Sequence, residues 1–341
     1  TGKTDMDSIN DYIRMYHHAI LLGITTLTSL DTANALADII ASRFNESNTE
    51  LVDINHLRTD KLKLNFIKMQ SCGNDYIFFD NMDGKITCPE SLAINFVDRH
   101  YGIGGDGITL IEKSDVADAK MRIFNKDGSE GAMAGNSIRC VAKYLFDNGI
   151  VKNNKITIET LSGVKELQLY TFNGKVSSVS VDMGKAVLDG KSIPSTLEGD
   201  TVVGRNISIG GQDYAVTLVN VGNPHCVVFC DKVDAVDVAN VGPLFEYAEY
   251  FPQRINAEFV RVVNDKTLKM RVWERGNGET LACGTGAAAS VIAAVLNGYC
   301  KQDEDITVKV RGGDLIVRYS SDGTVRLTGS VKQVFEGAIE Y

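Results

Sequence analysis

The sequence predicts an α/β protein of the α+β kind, built from two like-folded lobes behind a helical N-terminal extension. Three observations carry this. From Leu64 onward, short β-rich runs alternate with Gly, Asn and Asp turns. Few long helices interrupt them, the clearest over 135–147 and 284–297. Segments 149 residues apart match one another, the mark of an internal repeat.

Residues 1–63 read as a helical extension and linker. Ile9, Tyr12, Ile13 and Tyr16 recur at helical spacing, as do Leu36, Ile40 and Phe44. The polar stretch "NESNTELVDINHLRTDK" is a linker. The opening "TGKT" lacks the upstream Gly and strand of a phosphate-binding loop, and the first residues do not read as a signal peptide. His17 and His18 belong to a solvent-facing or partner-facing helix surface.

The strands follow in "NFIKMQSCGNDYIFFDN", "KITIETLSG", "KVSSVSVDM", "YAVTLVNVGNPHCVVFC", "EFVRVV" and "DLIVRYSSDGTVRLTGS". "TFNGKV" and "SSDGTV" have hairpin chemistry, because Asn-Gly and Asp-Gly tolerate positive φ. The repeat fixes the boundaries: an N-terminal lobe over 64–180, a C-terminal lobe over 181–328, and a last strand over 329–341 returning to the first lobe. "KMRIFNKDGSEGAMAG" (120–135) aligns with "KMRVWERGNGETLACG" (269–284). The same offset places Gly73 and Asn74 on Gly222 and Asn223, and "NGKV" on "DGTV". It also places Ala134 opposite Cys283, since 134 + 149 = 283.

Bulk properties narrow the function. The chain has 341 residues and a net charge of −9, which argues against nucleic acid as a partner. No apolar run approaches a membrane span. Seven cysteines, an odd number with no C-x-x-C pair, fit free thiols in a reducing cytoplasm. The five histidines show no metal-site spacing, so neither a metal nor a cofactor is expected.

The chemistry gathers at Cys283. A thiol at a helix start faces unsatisfied amides and a positive helix end, which predicts a pKa lowered toward neutrality. The same amides suit a substrate carboxylate. Two such starts facing each other would place groups on opposite faces of one carbon, an arrangement for inversion. In the first half, that place holds Ala134.

These motifs resemble the diaminopimelate epimerase family of cofactor-independent amino-acid epimerases. The resemblance runs from about Leu64 to Tyr341. It rests on "GND" (73–75), "RHYGIGGDG" (99–107), "RIFNKDGSE" (122–130), "GNSIRC" (135–140), "GNPH" (222–225), "RINAEFV" (254–260) and "ERGNGETLACGTG" (274–286). It implies that each lobe is a barrel-like sheet around a central helix, with the substrate between the lobes. The implied reaction interconverts LL- and meso-2,6-diaminopimelate, a precursor of lysine and peptidoglycan. Cys283 matches one catalytic thiol, and Ala134 occupies the place of the other. Gly135, Asn136, Gly284 and Thr285 match the residues around the reacting centre. Asn74, Asn125, Asn223, Asn256, Glu274 and Arg275 match the other substrate contacts, with His225 and Glu274 beside the thiols. A homodimer is implied as well.

The chain departs from that pattern at Ala134 and at Gly107, where some relatives carry Gln. Cys72 beside "GND" reads as a packed thiol, and Cys140 as core. Ala134 predicts an inactive or impaired epimerase, whether the substitution is engineered or natural. A racemase of another amino acid, such as histidine, and a non-catalytic amino-acid-binding homologue stay open.

Overall fold

The computed structural model describes residues 63–190 and 192–340, with a few isolated positions between 14 and 37. The helices expected over 6–46 and the linker after them lie essentially outside the described residues. Residues 63–341 form one compact unit.

The first half of this unit contains β1 (Lys63–Ser71), β2 (Asn74–Asp80), α1 (Pro89–Phe96), β3 (Gly107–Glu112), β4 (Ala119–Asn125) and β5 (Glu130–Gly131). It continues with α2 (Gly135–Asp147), β6 (Lys155–Thr160), β7 (Gly163–Phe172) and β8 (Lys175–Lys185). The second half opens with β9 (Arg205–Ile209), β10 (Gln212–Asn220), β11 (Pro224–Phe229), α3 (Val238–Glu246) and β12 (Asn256–Asn264). Then come β13 (Thr267–Glu274), β14 (Gly278–Glu279), α4 (Gly284–Leu296), β15 (Asp305–Val310), β16 (Gly313–Tyr319) and β17 (Thr324–Ser330). The last strand is β18 (Lys332–Glu340).

The 149-residue offset survives as geometry. It carries β1 onto β10 and α2 onto α4, residue for residue (63 + 149 = 212; 135 + 149 = 284). Tyr76 pairs with Gly107 between β2 and β3, and His225 pairs with Asn256 between β11 and β12, at the same register. The offset becomes 150 for β6 and β7 against β15 and β16 (155 + 150 = 305; 163 + 150 = 313). It returns to 149 at the last repeated strand (175 + 149 = 324).

The pairings run through one continuous sheet, β9-β10-β11-β12-β13-β15-β16-β17-β8-β7-β6-β4-β3-β2-β1-β18, with β5 and β14 appended to β4 and β13. Its midpoint is the antiparallel pair β8–β17, where the two halves join. β18 crosses back to pair with β1, the place that β9 holds on β10 in the other half.

Each half packs a helix on either side of its strands. α2 is buried among β1, β4 and β6–β8 through Ile138, Val141, Ala142 and Leu145, with Cys140 in the same core. α4 lies likewise against the second half through a run of small residues, Ala287 to Ala289, then Val291 and Ile292. α1 and α3 cover the outer faces, with separate cores at Leu92 and Phe245. This is a mixed α/β fold with strand-rich lobes.

The two hairpin turns differ. Asn173 and Gly174 both have positive φ (52° and 77°), the two-residue turn that Asn-Gly favours. At "SSDGTV" only Gly323 does (85°). That loop closes over four residues, with Gly323 N–H donating to Ser320 O and Ser320 N–H to Thr324 O.

A candidate active site where two helices begin

α2 and α4 begin in the same way. Ala134 (φ −129°, ψ 118°) and Cys283 (φ −123°, ψ 115°) are both extended N-cap residues. Their carbonyls accept the first helical bonds, from Ile138 and Ala287, each at 3.0 Å. An extended cap leaves the first amides of the helix pointing outward, available to an anion. The helices touch each other, and Leu327 of β17 sits between their starts. Its Cδ2 lies 3.9 Å from where a β-carbon on Gly135 would stand, and 2.7 Å from that point on Gly284. A side chain at 284 would push the second start away from Leu327.

Cys283 is 6% exposed. Its Sγ accepts from Gly286 N–H at 3.3 Å and lies 3.4 Å from Thr285 Oγ1. The expectation that the helix start lowers this thiol's pKa is overturned. Burial pushes the thiol well above its ordinary value, and the Glu274 and Glu258 carboxylates push it further. The bonds from Thr285 and Gly286 pull the other way and are outweighed. Burial also raises the Glu274 carboxyl, against bonds from Thr280 and Cys283. The Glu274 carboxyl is hydrogen-bonded to the Cys283 thiol, so a proton can pass between them.

Glu258 lies within hydrogen-bonding distance of His225, Oε1 to Nδ1 at 2.7 Å, with neither side chain reaching solvent. The other ring nitrogen faces Asn223 Oδ1 at 2.8 Å. His225 is therefore held from both sides. The corresponding places in the first half are Thr109 and Ser137 (258 − 149 = 109; 286 − 149 = 137), whose hydroxyls meet at 2.6 Å. One half fits a long acid against a glycine, and the other fits two short hydroxyl side chains. The volume is balanced while the chemistry differs.

Around the start of α2, Asn136 Nδ2 donates to Asn74 Oδ1 at 3.1 Å, and Asn74 Nδ2 donates to Asp106 Oδ2 at 2.6 Å. Arg99 grips Asp75 with two bonds, at 2.6 and 3.1 Å, and also reaches Asp106. These contacts anchor the loop before β3 to the "GND" turn. Lys68 and Arg99 hold the Asp75 carboxyl below its ordinary value, although its burial opposes them.

The remaining predicted residues fall in three places. Asn256 is 3% exposed and held at both ends of its amide, donating to Pro224 O at 2.7 Å and accepting from Arg275 N–H at 2.9 Å. The Arg275 guanidinium is exposed and donates to Gln253 O at 3.0 Å. Asn125 is exposed and donates to Ser129 Oγ at 3.0 Å. Cys72 is buried with φ 52° and packs in the same core as Ala282 and Cys283.

Sequence reasoning passed over Glu258, Asp106 and Tyr76. Glu258 is legible two residues after Asn256 on the same strand face. Tyr76 is legible by the repeat, because 76 + 149 = 225 makes it the counterpart of His225. A β-carbon on Gly107 would stand 2.9 Å from Tyr76 Cε1, so the ring crowds the space a longer side chain at 107 would enter. Its phenol bonds to Asn74 and lies in the field of Asp106 and Glu274, and burial raises its pKa above the usual range.

Among the described residues, no cluster of three or more His, Cys, Asp and Glu is arranged to hold a metal, and no helix is long and apolar enough to cross a membrane. All seven cysteines are free.

Solved structures of low identity share the fold. A hydroxyproline epimerase from Agrobacterium vitis superposes with a TM-score of 0.61 at 14% identity, covering 82% of this chain and 92% of that one. A PhzF-family phenazine biosynthesis protein from Bacillus anthracis gives 0.58 at 13% identity, covering 82% and 99%. Sequence relatives are much nearer. The diaminopimelate epimerase of Methanococcus maripaludis (strain C5) is 47% identical over 278 residues, 81% of this chain and 100% of the relative. That of Acetivibrio thermocellus is 46% identical over 278 residues, 81% and 99%. The family profile described as diaminopimelate epimerase matches residues 66–188 and 217–334. With its paired helix starts and its match along both halves, the chain belongs to the diaminopimelate epimerase family.

Proposed function

We propose that this site receives 2,6-diaminopimelate and has the architecture to interconvert its LL and meso forms, a step toward lysine and peptidoglycan. In the chain as it stands, binding persists and inversion fails. The observation that carries this reading is the matched pair of N-caps, one bearing a thiol and the other a methyl.

The reacting carboxylate lies on the outward amides of the two helix starts, beside Gly135, Asn136, Gly284 and Thr285. Charge developing on that carboxylate as the α-proton leaves is stabilised there. Cys283 serves one face of the α-carbon. As a neutral thiol it donates a proton to the carbanion. As a thiolate, its proton passed to Glu274, it removes one. Inversion needs a second group on the opposite face, and an alanine methyl neither gives nor takes a proton. The distal ammonium and carboxylate engage Glu274, the Arg275 fork and the side chains of Asn74, Asn125, Asn223 and Asn256, with His225 supporting Asn223. The free thiols fit a reducing cytoplasm, and the working form is a homodimer.

Restoring the thiol by Ala134→Cys tests this. In reducing buffer, that variant should epimerise diaminopimelate and exchange its α-proton with deuterated water. The parent chain should bind the compound, exchange at most the epimer presented to Cys283, and invert neither. Robust epimerisation by the parent chain would show that another group supplies the second face.

A further inference from the structure

Arg139 lies one turn past the start of α2, and no part of its side chain reaches solvent. Its Nη2 donates to Asn136 Oδ1 at 2.5 Å and to Ser71 Oγ at 2.8 Å. Nε and Nη1 are buried with no partner. Among the described residues, only the thiols of Cys72 and Cys140 lie near enough to act on its charge, with no carboxylate among them. Burial pushes the Cys140 thiol up to about 12, so it stays neutral. A guanidinium keeps its proton inside proteins.

A full cation is thus buried beside the positive end of a helix. Burial and the helix dipole both oppose it there. The fold itself makes no such demand, because the matching place on α4 is Ala288 (139 + 149 = 288). The cation is nonetheless accommodated with care. A β-carbon on Gly329 would come within 2.9 Å of its Cζ and Nη2, so β17 has a glycine where the guanidinium passes. Two residues earlier on the same face of β17 is Leu327, the residue between the helix starts. The guanidinium therefore lies just beneath the point where the two starts converge.

We infer that Arg139 is a positioning residue for the anion that docks at the start of α2, holding Asn136 in place and supplying the buried positive charge that a substrate carboxylate completes. This rests on the proposed function, because the anion is the reacting carboxylate of the amino acid. The cost of burying the charge is borne by the empty protein and is offset when the carboxylate arrives.

The test compares Arg139→Met, Arg139→Gln and Arg139→Lys with the parent chain, by thermal unfolding and by calorimetric titration with meso-diaminopimelate. Arg139→Met should melt near the parent temperature, since it relieves an unpaired buried charge while leaving Asn136 Oδ1 without its donor. Its affinity should nevertheless fall about tenfold, equivalent to ~1.4 kcal/mol. Arg139→Gln keeps a donor for Asn136 without the charge, and should lose affinity as well, whether or not the Met variant folds. Arg139→Lys should recover part of it. On the Ala134→Cys background, the neutral variants should show a raised KM. Parent-like affinity in a folded neutral variant would overturn the assignment and leave the proposed function standing. A parent chain that does not bind diaminopimelate would sink both.

Discussion

Glu258 Oε1 stands 2.8 Å from the point that a β-carbon on Gly286 would occupy. The same point is 3.3 Å from Cys283 Sγ. In an ordinary helix interior, Gly→Ala stabilises by about 1 kcal/mol. Gly286→Ala should do the reverse and cost roughly 1–3 kcal/mol, the scale of overpacking. The methyl must displace the carboxylate that holds His225 as well as the thiol. Denaturant unfolding reads the sign directly, and a gain in stability would show that the contact yields freely.

Glu274→Gln should bring the Cys283 thiol down toward its ordinary value, because a negative neighbour that disfavours the thiolate has been neutralised. Alkylation of Cys283, followed by mass spectrometry of its peptide, should speed up at fixed pH near 8. The same substitution should stabilise the fold at neutral pH. Burial raises the folded-state pKa of Glu274 above its unfolded value. Its contribution to stability is therefore greatest when both states are protonated, below the ordinary carboxylate range, and is lost as pH rises through the folded pKa. The advantage of Gln should accordingly vanish in acid. An advantage independent of pH would point to packing as its source.

Arg275→Lys keeps a charge but loses the planar fork that is exposed beside Gln253. Diaminopimelate binding should weaken by roughly 1–3 kcal/mol, the scale of a hydrogen bond to a charged group. The parent chain serves for this measurement, since binding does not require the second thiol. Unchanged affinity would remove Arg275 from the site.

Tyr76→Phe removes one hydroxyl from the counterpart position of His225 and leaves the ring packed against Gly107. The melting temperature should change little. Diaminopimelate affinity should fall by about 1 kcal/mol, the net worth of one hydrogen bond, because the hydroxyl steadies Asn74. A large loss of stability with unchanged affinity would make Tyr76 a core residue only.

The scaffold was legible because a repeat is written in residue types that the fold constrains. Lys120-Met121-Arg122 and Lys269-Met270-Arg271 occupy matched strands. The start of α2 at Gly135 and that of α4 at Gly284 follow from the same offset. The electrostatics were not legible in this way. The helix end alone predicts a lowered Cys283 thiol. Glu258, which acts in the opposite direction, is 25 residues away in sequence (283 − 258 = 25) and arrives through strand pairing. Arg139 is one residue of "GNSIRC" like its neighbours, because a sequence cannot show that a cation lacks a partner. The divergence between halves, Glu258 and Gly286 against Thr109 and Ser137, was present in the offset but needs contact geometry to be seen as compensation.

The pairing of β1 with β18 also governs how the protein is made. β1 leaves the ribosome early, and its partner begins 269 residues later (332 − 63 = 269). At typical synthesis rates that interval is on the order of tens of seconds. β8 waits for β17 over 149 residues (324 − 175 = 149). The first half therefore spends its early life with two unpaired strand edges, one beside Leu64 and Phe66 and the other beside Val179 and Val181. Such edges template pairing with other chains. Nascent-chain aggregation and a need for holdase chaperones should concentrate in this half, although it is the half completed first.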